Sequence, residues 1–136
     1  RRSSDLFWRQ KFEAACESRN LEHQAEADVS FHQTIADAAH NILFSHLSSS
    51  LLKMLYQQTR SGIIYIHQTE DPRPTLIAQH RTIFEAIAQA KPAEAAEAAK
   101  LHLNYVARRI LQDREYQSRS EHADVLAQND LKRVDW

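Results

Sequence analysis

A chain of 136 residues is long enough for one hydrophobic core and too short for two. Its single glycine and three prolines leave few breakers, so with abundant Ala, Leu, Gln, Glu and Arg the composition predicts an all-α fold with short connections. A formal charge of −1 gives no basic field for nucleic acid on this piece, one cysteine excludes an internal disulfide framework, and no apolar run reaches the length of a membrane span.

In chain order, Arg1-Arg2-Ser3-Ser4 has no apolar stretch of signal-peptide type behind it, so a cytoplasmic location is the expectation. Ser4 and Asp5 are the caps of a first predicted helix through about Glu17, with Leu6, Phe7, Phe12, Ala15 and Cys16 apolar, and Ser18-Arg19-Asn20 as its exit. The second predicted helix runs from about Leu21 to Ala39. It places Asp28 and His32 one turn apart on the side that also carries apolar residues. A carboxylate and an imidazole at that spacing suit one divalent ion, a hard oxygen beside a borderline nitrogen, but two helical ligands leave the ion under-coordinated. Further donors are therefore required from other helices.

Asn41 is placed to cap a third helix, roughly Ile42 to Arg60, in which Leu43, Leu47, Leu51, Met54 and Leu55 recur at three- and four-residue intervals as its core stripe. Ser48, Ser49 and Ser50 read as small residues in helix packing. Gly62 ends this helix; Ile63-Ile64-Tyr65-Ile66 has strand-like composition but no partner strand, and is read as a kinked continuation or an apolar loop. Asp71-Pro72-Arg73-Pro74 marks the clearest loop, and Thr75 restarts the chain. Leu76, Ile77, His80, Ile83, Phe84 and Ile87 form the stripe of a fourth helix up to Gln89, after which Lys91-Pro92 turns the chain. A fifth helix, Pro92 to about Glu115, carries Ala95, Ala99, His102, Leu103, Val106 and Ile110 on one face. Residues 1–115 thus make the helical domain, and 116–136 a charged tail or extra helix.

His80 interrupts one apolar stripe and His102 another. A lone imidazole at such a position is best read as a core histidine bonded to a nearby carbonyl. Two of them beside a helical Asp-x3-His pair change the balance, because one core can bring all four together: Asp28, His32, His80 and His102, one carboxylate and three imidazoles, with up to two octahedral positions left open. The other histidines, His23, His40, His46, His67 and His122, are read as solvent-exposed, with His40 at a helix junction. Gln57 and Arg60, at the end of the third helix, are candidate polar lining of a pocket, with surface residues as an equal reading. No phosphate loop, paired cysteines or His-Glu-x-x-His signature is present.

The ordered motifs Asp28-x-x-Phe31-His32-x-x-Ile35-Ala36-x-Ala38-x-x-Asn41, Gln79-His80-x-x-Ile83-x-x-Ala86-Ile87 and Ala95-x-x-Ala98-Ala99-x-x-His102-Leu103 resemble the effector-binding FCD domain of GntR-type transcription regulators of the FadR subfamily, over roughly residues 5–115. Ala39-His40-Asn41 and Phe84-Glu85-Ala86-Ile87 look most like the lactate-, glycolate- or pyruvate-responsive branch. The resemblance implies an antiparallel helical bundle around a metal, zinc first with nickel or manganese as alternatives, held by Asp28, His32, His80 and His102. It further implies a small hydroxy- or keto-carboxylate effector, lactate or glycolate favoured, and a homodimer. Operator DNA would be bound only through an N-terminal winged-helix domain missing from this chain, as is the family's first effector-domain helix. The competing reading is a metal-dependent hydrolase or oxygenase; it needs an acid or base beside the ion, and Asp37 is the nearest spare carboxylate.

Overall fold

The protein was analysed as a computed structural model, which describes residues 13–15, 17, 20–60 and 71–131. These residues form four long helices and no strand: α1 (Leu21–Ala38), α2 (Ile42–Arg60), α3 (Arg73–Ala88) and α4 (Pro92–Leu131). The all-α expectation holds for them. The first predicted helix lies largely outside the described residues, as does the Ile63–Ile66 segment; residues 13–15 and 17 are helical, and Glu13 meets Arg81 of α3 at 2.6 Å.

Each helix starts where its local chemistry provides for it. The Asn20 side chain accepts the N–H groups of Glu22 and His23 at 3.0 and 3.2 Å, meeting donors that have no intrahelical partner. Asn41 does the same for Phe44 at 3.1 Å. The third described helix begins at Arg73, earlier than the Thr75 expected from the two prolines. Asp71 accepts the Arg73 N–H at 3.0 Å and holds its guanidinium, while Pro74 falls in the first turn, where no backbone N–H is needed. Pro92 opens α4 for the same reason. That helix does not stop near Glu115 but continues to Leu131, because nothing between them breaks it: 116–131 contains neither Gly nor Pro.

The helices pair as two antiparallel hairpins, α1 with α2 and α3 with α4. Both turns pass through a non-glycine residue in the left-handed region, His40 (φ 51°) and Ala90 (φ 56°). In the second, the Lys91 N–H closes back onto the Ala86 carbonyl at 2.9 Å, which satisfies a helix end and offsets the steric cost. In the first, Asp37 accepts from Gln33 at 2.8 Å and from the Ser45 hydroxyl, tying α1 to α2.

Apart from Leu55, the stripe expected to be the core of the third predicted helix faces outward. Leu43, Leu47, Leu51 and Met54 are all exposed, and it is Ser45, Ser48, Ser49, Leu52 and Leu55 that lie on the less exposed side of α2. The serines act as spacers that let α2 approach α1, in keeping with the packing role read for Ser48 and Ser49, whereas Ser50, given the same role, is exposed. Between the hairpins the backbones stay apart: no helix of one comes within 8 Å, Cα to Cα, of a helix of the other. Among the described residues, side chains of the two hairpins meet across that gap, and the ones that do so define the site.

Candidate metal centre

On α1 the inward stripe is Ala25, Asp28, Phe31, His32, Ile35 and Ala36, so the helix that seals one side of the gap also delivers a carboxylate and an imidazole into it. His80 comes from the middle of α3 and His102 from α4, each 2% exposed. Asp28 Oδ1 lies 3.3 Å from His80 Nε2 and 3.9 Å from His32 Nε2, and the two Nε2 atoms are 3.3 Å apart. One ligand atom from each of Asp28, His32, His80 and His102 falls within 4.8 Å of every other. The four residues that sequence singled out are therefore brought together.

The donor set fits a divalent ion. Donors about 2.1 Å from a common ion stand roughly 3.0 Å apart at octahedral and 3.4 Å at tetrahedral angles, close to the shortest separations here. His32 and His102 are also in the form a metal needs. Burial pushes His102 down to about 3, reinforced by the neighbouring His80 and His32 and opposed by Asp28. Burial likewise lowers His32, against the pull of Asp28. For Asp28, burial acts upward but is outweighed by the hydrogen bond with His80 and the fields of all three imidazoles, which hold it below the usual carboxylate range. At neutral pH Asp28 is therefore an anion, and His32 and His102 are neutral.

Two supports were not assigned from sequence. Phe31 is buried and sets its ring edge-on to His80, with centroids 4.7 Å apart, fixing the imidazole plane. Gln79 places Oε1 3.0 Å from His102 Nδ1, so Nδ1–H donates to the amide oxygen and Nε2 keeps its lone pair for the cluster. No periodic pattern marks Gln79, a polar residue beside His80 that is aimed at the partner helix of its hairpin. Replacing it with leucine is expected to weaken metal affinity by about 10- to 100-fold, read by competition with a chelating dye, while the helical circular dichroism is retained.

Next to the cluster, a cavity of about 660 Å³ is walled by His32 and His102 and by apolar side chains of α1, α3 and α4, with Lys91 among its lining. Gln57 and Arg60 are not among the residues that line it. Both are exposed at the far end of α2, which among the described helices packs on α1, and Arg60 pairs with Glu22 at 3.6 Å. Asp37, the carboxylate that an enzyme reading would enlist, is exposed and engaged by Gln33 and Ser45 at the α1–α2 turn. His23, His40, His46 and His122 are exposed as expected, and His67 lies outside the described residues. No helix among the described residues is long and apolar enough to cross a membrane.

Comparison with known proteins gives a family match and several curated relatives. The FCD domain profile matches residues 9–105. The HTH-type transcriptional regulator LutR of Bacillus subtilis (strain 168) is 36% identical over 84 residues, 60% of this chain and 37% of that protein. The chain thus aligns with well under half the length of this curated relative. No solved structure gives a significant match.

Proposed function

The chain belongs to the FCD domain family, and from that membership we propose that it is the effector-sensing domain of a GntR-type transcription regulator of the FadR subfamily. In this reading Asp28, His32, His80 and His102 hold a divalent ion, zinc first, with nickel and manganese as alternatives. The carrying observation is the convergence of these four donors at the end of a cavity. When bound, such an ion offers open positions to the oxygens of a hydroxy- or keto-carboxylate, with lactate and glycolate the first candidates. The likeness to LutR supports the regulator assignment over an enzyme, and the engagement of Asp37 at a distant turn supports it further.

Sensing has to reach DNA through the rest of the regulator. Operator contacts belong to a winged-helix domain of the full-length cytoplasmic protein, two copies of which are rearranged in a homodimer when effector binds. The effector shifts that arrangement only by the difference in its affinity for the two states. The outward stripe of α2, Leu43, Leu47, Leu51 and Met54, supports an association of chains, since an apolar face of this kind gains by being covered.

Calorimetric titration of the zinc-loaded chain with lactate, glycolate, pyruvate and citrate tests the proposal. Binding of one or more of these acids, abolished by chelation and restored by zinc, is the expected result. Equal binding with and without metal, or conversion of the bound acid to a product, would overturn the sensor reading.

A further inference from the structure

The cavity beside the metal-binding group is much larger than a three-carbon acid requires. At about 660 Å³ it falls within the range of roughly 300–1,000 Å³ typical of pockets that enclose drug-sized ligands. Its walls are Ile35 of α1, Ile83 and Ile87 of α3, and Ala95, Ala99 and Leu103 of α4. Ile87 and Leu103 remain exposed there, apolar surface that the chain itself does not cover. The space exists because the hairpins stay apart while α4 presents alanines, where larger side chains would have filled it. His32 and His102 close one end; the other reaches Lys91 and Pro92 at the α3–α4 turn. Ten residues of helix separate His102 from Pro92, a length of about 15 Å.

We infer that the acid sensed here carries an aliphatic chain: its hydroxy- or keto-carboxylate end lies at the Asp28, His32, His80 and His102 cluster, and its hydrocarbon fills the cavity along Ile83, Ile87, Ala95 and Ala99. The inference rests on the sensor reading and narrows its ligand class from the shortest acids to longer ones. A second carboxylate at the far end fits less well. The one cation among the lining residues, Lys91, is already paired with Glu94 at 3.2 Å, and the path to it is apolar throughout.

Calorimetry of the zinc-loaded chain with lactate, α-hydroxybutyrate, α-hydroxyhexanoate and α-hydroxyoctanoate tests this directly. Full burial is worth about 0.8 kcal/mol per methylene, so affinity should rise up to about fourfold for each one added. Methyl resonances of Ile83 and Ile87 should shift with the long acids and much less with lactate. Ala95→Phe should collapse the ratio of α-hydroxyoctanoate to lactate affinity, and Ala95→Leu should lower it in part, a second filler that serves if the larger one fails to fold. Lactate binding with no gain along the series, as when another polypeptide segment occupies the cavity, overturns the inference and leaves the sensor reading intact. A gain that survives both substitutions also overturns it. If the zinc-loaded chain binds none of the acids, this inference and the sensor reading fall together.

Discussion

His80→Ala is expected to lower the affinity of the chain for zinc by at least about 100-fold, more than loss of an outer-shell partner, and to remove carboxylate binding with it. His80 has the most central position of the four. Its Nε2 lies 3.3 Å from both Asp28 Oδ1 and His32 Nε2, and its ring is centred 4.3 Å from that of His102. No other residue supplies a donor from α3, so the remaining ligands all come from α1 and α4. The exposed His46 provides the control, since His46→Ala should leave zinc affinity unchanged. Competitive titration against a chelating dye reads both variants. Equal affinities would mean that zinc binds somewhere other than this cluster.

The second large effect is on stability, through the metal and through protons. Zinc at a thousandfold excess over its dissociation constant should stabilise the folded chain by about 4 kcal/mol, which raises the melting temperature by on the order of 10 °C for a domain of this size. Acid should act in the opposite direction, even on the metal-free chain. The folded state holds His102 neutral down to about 3, whereas the unfolded imidazole takes up its proton near 6.5. The unfolded state therefore binds more protons between those values. The stability is intact above 6.5 and is lost progressively as pH falls toward 3, by about 2 kcal/mol between pH 6.5 and 5 from His102 alone. His32, also depressed, adds in the same direction. Asp28, held below 3.8, contributes stability that is present above that value and lost beneath it. Thermal melts from pH 7.5 to 4.5, with zinc and with chelator, should show falling midpoints in both series and a zinc increment that shrinks as protons compete for the ligands. A metal-free midpoint that is flat across this range would contradict the buried, neutral placement of His102.

Much of the site was legible because helical spacing is local. Asp28 and His32 are four residues apart, so any helix there puts them on one side, and His80 and His102 stood out as polar interruptions of apolar stripes. Only the choice among eight histidines needed more than composition, and burial on the inward faces made it. The α2 stripe was misread for a physical reason: periodicity tells which face of a helix is apolar, not what that face meets. Leu43, Leu47, Leu51 and Met54 form a proper amphipathic stripe, yet Ser45, Ser48 and Ser49 allow the closer approach to α1. The start of α3 was placed late because Pro72 and Pro74 look like breakers unless Asp71 is recognised as the group that receives the first N–H.

What lay beyond the sequence is long-range geometry. Gln79 supports His102 across 23 residues of chain, a pairing fixed by the pitch of the α3–α4 hairpin and not by any local pattern. The cavity is harder still to read, since it arises from what Ala95 and Ala99 do not fill and from the distance between two hairpins. Gln57 and Arg60 show the reverse, polar residues near the end of an apolar helix that suggested a pocket as readily as a surface, and both are exposed, with Arg60 paired to Glu22 at the start of α1.

The central claim is that three imidazoles and a carboxylate from three helices converge to hold one ion. Elemental mass spectrometry of the native chain, purified without added metal or chelator, tests it most directly. The account predicts about one zinc, nickel or manganese per chain, released on acidification. A folded chain that carries no divalent metal and takes up none when it is supplied would contradict it.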